Sequence, residues 1–356
     1  MNNIITLSGD PGSGKSTTAD ALEEYFENKA KRVVRYSVGD IFRNLANEKG
    51  MTVTEFSEFL EKNNCNVDNS LDKAVRDLGK KISDQSDENT IYLIDSRLAW
   101  HNIPESFKIR LVTTDIIAGK RVFEDKSRGE EDRYDNLESA IEETRKRKQL
   151  ERERYIKTYG LDLQKLEQYD LVVDTSYAEV SDIADVIAKC MEAKNRGEEF
   201  SKYWKSPKQF LPIQPVKQTI VGNAHSSLTL KEWKEKIISE GIEINKPIKA
   251  IKLGETYFVR DGHHRNFGTA LAGKTLVPYE VKWGEKSRYF GVSTEDFIKL
   301  TVLGDSKYDR DLYAYENMLS EGEEHFCYNS VYPGIEKGNI YLGYKKDDGT
   351  SQGESR

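Results

Sequence analysis

At 356 residues the chain exceeds what one hydrophobic core usually serves, so two domains are expected. Its 37% hydrophobic and 32% charged residues describe a heavily solvated surface, and no run reaches the ~18 apolar residues of a membrane helix. The net charge of −7 argues against a broad nucleic-acid surface, so DNA as a partner is not favoured; Cys65, Cys190 and Cys327 are too few and too scattered for a disulfide framework or a zinc site.

The chain opens directly on an apolar strand pattern without the charged and apolar regions of a signal peptide, which predicts a cytoplasmic protein with no membrane partner. Residues 3–8 read as a short buried strand, and residues 16–28 as a helix with Ala19, Leu22, Tyr25 and Phe26 on one face. Between them lies Gly9-Asp10-Pro11-Gly12-Ser13-Gly14-Lys15-Ser16, followed by Thr17, which is a Walker A pattern in its proper place between strand and helix. The glycines let successive N–H groups curl around phosphates while the helix offers its positive end. Lys15 is then expected on the β/γ-phosphates, the Ser16 hydroxyl on Mg²⁺ and Thr17 near the α-phosphate, so ATP and magnesium are the implied cofactors.

Further strands are expected at 32–37, 90–95, 107–112 and 169–174, alternating with helical sequence, which predicts an α/β fold with a parallel sheet and helices on both faces. Asp95 ends the apolar run Ile91-Tyr92-Leu93-Ile94 and should emerge at the carboxyl edge of the sheet, where a metal-side carboxylate is expected; a turn-capping Asp is the alternative. Asp40 follows a strand and suits a helix N-cap, with Arg43 in the first turn beyond it. Residues 138–159 form a helix in which Arg145, Arg147, Arg152 and Arg154 interleave with glutamates, either a solvated face of i,i+4 pairs or part of a catalytic site.

A change of character follows. The domain organisation read from the chain is 1–195 for the P-loop domain, 196–206 for a linker that docks through Tyr203 and Trp204, 207–290 for a smaller α+β domain, and 291–356 for an extension with one helix near 294–303 and a fraying end. In the second domain Arg260-Asp261-Gly262-His263-His264-Arg265 follows an alternating strand and precedes a helix. A glycine turn and a basic helix start make an anion site, and phosphate binding by Asp261, His263, His264 and Arg265 around Gly262 is more economical than a metal, for which no third ligand is near. A histidine or Asp261 there would also serve as a proton acceptor.

Taken in order, the segments 9–17, Gly39-Asp40-Ile41-Phe42-Arg43, Thr54-Glu55-Phe56-Ser57, Asp95-Ser96-Arg97-Leu98-Ala99, 153–162 and 169–176 resemble the archaeal-type cytidylate kinases, a branch of the nucleoside monophosphate kinases, over roughly residues 3–190. The resemblance implies a P-loop kinase fold in which Asp40 and Arg43 face the acceptor, Arg43 meets its phosphate with Arg97 taking a similar part, and a lid bearing Arg121, Arg128 and the Arg145–Arg154 helix closes over the site. Lys15, Asp40, Asp95 and Arg97 are then the catalytic set. The chain departs from the family at Asp95-Ser96, where Glu-Gly is usual, and in the acidic loop Glu130-Glu131-Asp132. Residues from about 207 to 283 are similar to the ParB/sulfiredoxin-like fold, whose members place a nucleotide or phosphoryl group at the glycine turn; the DGHHR spelling is closest to the free-serine kinases.

Three acceptor readings fit these residues. The first is a small nucleotide such as CMP or dCMP. The second is a hydroxyl, on a modified DNA base such as 5-hydroxymethyluracil or on free serine. The third is a nucleotide-gated ParB-like adaptor that transfers nothing. Oligomeric state is not encoded in any of these features.

Overall fold

The computed structural model describes residues 3–51, 56, 59, 67–85, 88–125, 134–212, 228, 230–284, 287–289 and 292–293. The chain divides between Trp204 and Lys205 into two compact units.

Unit 1 runs through β1 (Ile4–Gly9), α1 (Lys15–Glu27), β2 (Arg32–Ser37), α2 (Val38–Glu48), α3 (Val67–Gln85), β3 (Thr90–Asp95) and α4 (Ala99–Asn102). It continues with β4 (Phe107–Val112), α5 (Asp115–Glu124), α6 (Leu137–Tyr159), β5 (Leu171–Asp174), α7 (Val180–Arg196) and β6 (Tyr203–Lys205). The strand order is β2-β3-β1-β4-β5-β6, and the pairings of β1 with β3 and β4, of β2 with β3, and of β4 through β5 to β6 are all parallel. A parallel sheet covered on both faces needs continuous apolar strands, and every residue of β1 is buried accordingly. Ile4 and Ile94 pack with Ile41, Val75, Ile82, Ala99 and Ile103 in one cluster. Leu98, Trp100, Tyr155, Leu163, Tyr169 and Val172 form another, which fixes the far end of α6.

Register places the business end. Leu7 and Ser37 both lie opposite Asp95, and Gly9 opposite Leu111, so four strands deliver their carboxyl ends to one edge. Helix α6 starts where the Asn136 side chain accepts from the Ser139 N–H at 2.9 Å and ends at Gly160, which takes the left-handed conformation at φ 68°. The segment expected to be a linker contains β6: Tyr203 pairs with Val172 and Trp204 with Val173, and Trp204 is 1% exposed. Burying an indole against a parallel sheet explains why this stretch is ordered as a strand.

Unit 2 holds β7 (Phe210–Pro212), α8 (Leu230–Glu240), β8 (Ile248–Leu253), β9 (Thr256–Asp261), α9 (His263–Leu271), β10 (Val277–Trp283) and a short hairpin of β11 (Arg288–Tyr289) with β12 (Val292–Ser293). Its sheet is ordered β10-β8-β9-β7, antiparallel only between β8 and β9. Phe210, Ile248, Ala250, Val259 and Val277 make its core, and Asn266 on α9 donates to the Pro207 carbonyl at 3.2 Å. The helix expected at 294–303 and the end of the extension lie outside the described residues.

Candidate active site

The loop between β1 and α1 depends on two glycines in the left-handed region, Gly12 at φ 73° and Gly14 at φ 79°. A Cβ at Gly12 would stand 2.8 Å from the Ala118 carbonyl oxygen and 2.9 Å from its Cα, because the loop lies against the backbone of α5. Gly14 occupies the N-cap of α1 with no side-chain cap, so no side chain takes the first N–H donors of the helix. Ser13 is 1% exposed and its Oγ has no protein partner. Thr175 Oγ1 donates to the Ser13 carbonyl at 2.9 Å, and Arg121 donates to the carbonyls of Gly12 at 3.2 Å and Thr175 at 2.5 Å. Burial holds the Arg121 guanidinium below its ordinary pKa, with the Asp174 carboxylate acting the other way.

Above this loop is a cavity of about 730 Å³. Its wall carries Asp10, residues 11–18, Arg97, Arg121, Asp125, Arg147 and Thr175, with an apolar end at Ala178, Val180 and Ile183. Lys15 Nζ lies 2.8 Å from Asp95 Oδ1, which joins the first turn of α1 to the end of β3. The Arg97 guanidinium pairs with Glu151 of α6, while its carbonyl accepts from Ser8 Oγ at 3.3 Å and from Trp100 Nε1 at 2.9 Å. Persistent cations around an anion cradle suit a polyphosphate, and arginine forks suit its oxygens.

Beneath the loop sits a buried ion pair. Arg110, in the middle of β4 with its side chain 3% exposed, donates to Asp10 and, at 3.1 Å, to Ser8 Oγ. The other Asp10 oxygen receives Lys148 Nζ of α6 at 3.2 Å.

Of the residues expected from sequence, Gly12, Ser13, Gly14, Lys15, Ser16, Thr17 and Arg97 line one cavity, with Gly9 closing β1 below them and Asp95 held by Lys15. Arg154 is elsewhere: its guanidinium rests 5.0 Å from the Tyr155 ring centroid and donates to the Tyr155 hydroxyl at 3.2 Å. The side chains of Asp40 and Arg43, and the whole of Arg128, lie outside the described residues. Sequence reading missed Arg110 and Lys148, and it missed the contacts that Asp10 and Thr175, both within the quoted segments, make around the loop. One signal was available, an arginine inside the otherwise apolar strand run Phe107-Lys108-Ile109-Arg110-Leu111-Val112, which demands a carboxylate partner.

The second expected anion site differs from its sequence reading. Gly262 does adopt φ 96° and open α9 without a side-chain cap. Arg265 donates through Nη1 to the carbonyls of Lys246 at 2.6 Å and Pro247 at 3.2 Å, while Nη2 would stand 3.0 Å from a Cβ at Gly262. His263 is 4% exposed, and burial, reinforced by His264 and Arg260, pushes it down to about 4. It is a neutral core residue at physiological pH and not a surface phosphate ligand. Asp261 stands 3.4 Å from Lys249, and His264 follows in the first turn of α9.

A family model described as an AAA domain matches residues 5–143. Cytidylate kinase of Methanosphaera stadtmanae is 32% identical over 193 residues, 54% of this chain and 99% of that protein. Cytidylate kinase of Methanocella arvoryzae is 34% identical over 191 residues, 53% of this chain and 97% of that protein. Among solved structures, shikimate kinase from Bacteroides thetaiotaomicron overlaps with a TM-score of 0.35 at 10% identity, over 54% of this chain and 99% of that one. Among the described residues, no helix is long and apolar enough to cross a membrane.

Proposed function

We propose that this chain, which belongs through its first half to the cytidylate kinases, passes the γ-phosphoryl group of ATP to a nucleoside monophosphate such as CMP or dCMP. It is a P-loop kinase and so a phosphotransferase. The observation that carries the acceptor reading is one cavity of about 730 Å³ whose lining combines an uncapped helix start, Lys15 and the arginines Arg97, Arg121 and Arg147 with the apolar Ala178, Val180 and Ile183. That volume suits two small ligands meeting end to end, with Ala178, Val180 and Ile183 offering the apolar surface a base needs.

In this reading the N–H groups of residues 12–16 and the orphaned Ser13 hydroxyl receive phosphate oxygens, and Lys15 leaves Asp95 for the β/γ-phosphates. Ser16 and Asp95 are hard oxygen donors at the same edge and fit Mg²⁺, which when bound neutralises charge on the phosphates. Phosphoryl transfer needs positioning and charge neutralisation above all; in this reading Arg97 and Arg147, both in the cavity wall, supply them, and Arg121 holds the loop by its carbonyls. Asp40, Arg43 and Arg128 complete the acceptor site and lid in the family pattern.

The test is ADP release by the full chain with ATP·Mg²⁺ and, in separate reactions, CMP, dCMP, other monophosphates, free serine or hydroxymethylated DNA. Stimulation by a pyrimidine monophosphate supports the reading. Stimulation by serine or DNA alone, or only slow acceptor-independent hydrolysis, overturns it.

For unit 2 the proposed reading is a ParB/sulfiredoxin-like module that takes up nucleotide or product at the Gly262 turn, supported by the uncapped passage from β9 through Gly262 into α9. Nucleotide-dependent protection of the 262–266 amides in hydrogen exchange tests it; unchanged exchange at saturating ATP and CMP removes it.

A further inference from the structure

The contacts around the phosphate loop close into a ring. Asp10 pairs with Arg110; Arg110 donates to Ser8 Oγ at 3.1 Å; Ser8 donates to the Arg97 carbonyl at 3.3 Å; the Arg97 guanidinium pairs with Glu151; and α6 carries Glu151 together with Lys148, whose Nζ returns to Asp10 at 3.2 Å. Lys148 and Glu151 are three apart on the helix and so share a face. Arg97 is thereby fixed at both ends, by its main chain to the floor beneath the loop and by its guanidinium to α6. The Asp10–Lys148 pair joins α6 directly to the phosphate loop, and the same Nζ lies 3.5 Å from Asp115 of α5, which Arg145 of α6 also holds at 2.9 Å.

An acidic residue in second place in an anion cradle is a liability, because its charge opposes the ligand's. Here it is flanked by two cations and about 8% exposed. We propose that Asp10 and Lys148 are positioning residues for the transfer step: their pair sets the register of α6 on the loop and, through Glu151, the place of the Arg97 guanidinium over the phosphates. This rests on the kinase reading above. Neither residue contacts the transferring group; both act through Arg97.

Two chemical consequences follow. Cutting the link leaves the N–H cradle and Lys15 in place, so ATP is bound about as before. The packing of α6 on α5 and its Arg145–Asp115 pair remain, but the turn that carries Glu151 loses its hold on the loop, so Arg97 meets the phosphates in fewer of the bound complexes and kcat falls. Asp10 also holds Arg110, so Asp10→Asn costs more than the shared link alone; in the Lys148→Met background, where that link is already cut, it should cost less than it does in wild type.

The experiment uses the full chain as wild type, Asp10→Asn, Lys148→Met, the double variant, and Lys148→Arg. CMP-stimulated turnover and acceptor-independent ATP hydrolysis are measured, and affinity is taken from titration with a methylanthraniloyl-ATP probe. Lys148→Met is expected to lose about tenfold in kcat with probe affinity within about twofold, and Asp10→Asn at least as much; the double loses clearly less than the product of the two, and Lys148→Arg recovers most of the Lys148→Met loss. Lys148, partly exposed, keeps the test clear of the buried pair should Asp10→Asn fold poorly. Multiplying losses in the double, a loss confined to probe affinity, or wild-type kcat in Lys148→Met overturns the proposal. If no monophosphate stimulates wild type, the acceptor reading fails by itself, and the same cycle read on hydrolysis still decides the positioning.

Discussion

Replacing Arg110 with Met tests the buried pair as a matter of stability. The guanidinium is 3% exposed and serves Asp10 and Ser8 from the middle of β4, so methionine keeps the aliphatic path and removes the charge. Breaking a buried pair by removing one partner costs about 3–5 kcal/mol, because the remaining charge is left uncompensated. Asp10 still has Lys148 at 3.2 Å, which moves the expectation to the low end, about 3 kcal/mol. For a unit of this size that is a fall in Tm of roughly 6–12 °C. Removing the other charge as well, in Asp10→Asn/Arg110→Met, should recover more than half of it, since no buried ion is then stranded. Calorimetry on the full chain checks this, with the transition of unit 1 identified by its upward shift with ATP·Mg²⁺. A single variant within about 2 °C of wild type, or a double variant less stable than either single, would refute the argument.

Lys15→Met should abolish turnover, by about 100-fold or more, while leaving the far-ultraviolet circular dichroism of the wild type unchanged; retained activity in the purified variant contradicts its placing. Gly12→Ala must hold a Cβ 2.8 Å from the Ala118 carbonyl at a positive φ, so the loop shifts and ATP affinity should fall at least about tenfold, read by the same probe titration. Unit 2 should lose stability on acidification: His263 stays neutral in the fold down to about pH 4, whereas the unfolded chain binds its proton from about 6.5, so stability rises with pH across that window. At about 1.4 kcal/mol per pH unit the effect approaches 3 kcal/mol, and His263→Gln should flatten it in thermal scans from pH 7 to 4.5.

The first half of the fold was legible because its physics is local. A strand of unbroken apolar residues, a glycine turn with defined spacing and a helix with one apolar face sit within 28 residues, and β1, the loop and α1 follow that pattern to within a residue or two. Asp95 was legible for the same reason, as the polar end of a buried run. What could not be read was pairing across the sheet. Asp10 and Arg110 are 100 positions apart, and only the parallel register of β1 on β4 brings them together. Arg154, expected from the family's lid, rests on the Tyr155 ring, a contact between neighbours on one helix that the charge pattern alone does not show. In unit 2 the sequence showed the turn but not that α9 drives His263 into the core and that Arg265 folds back onto the carbonyls before β8.

The strand order separates two jobs that sequence order interleaves. Because β3 lies between β1 and β2, everything that holds the donor hangs from the centre of the sheet, while β2 and the start of α2 hang from its margin. In the proposed reading the acceptor is held at that margin, so a relative with a different acceptor should differ first around residues 38–48 and keep residues 9–17 intact.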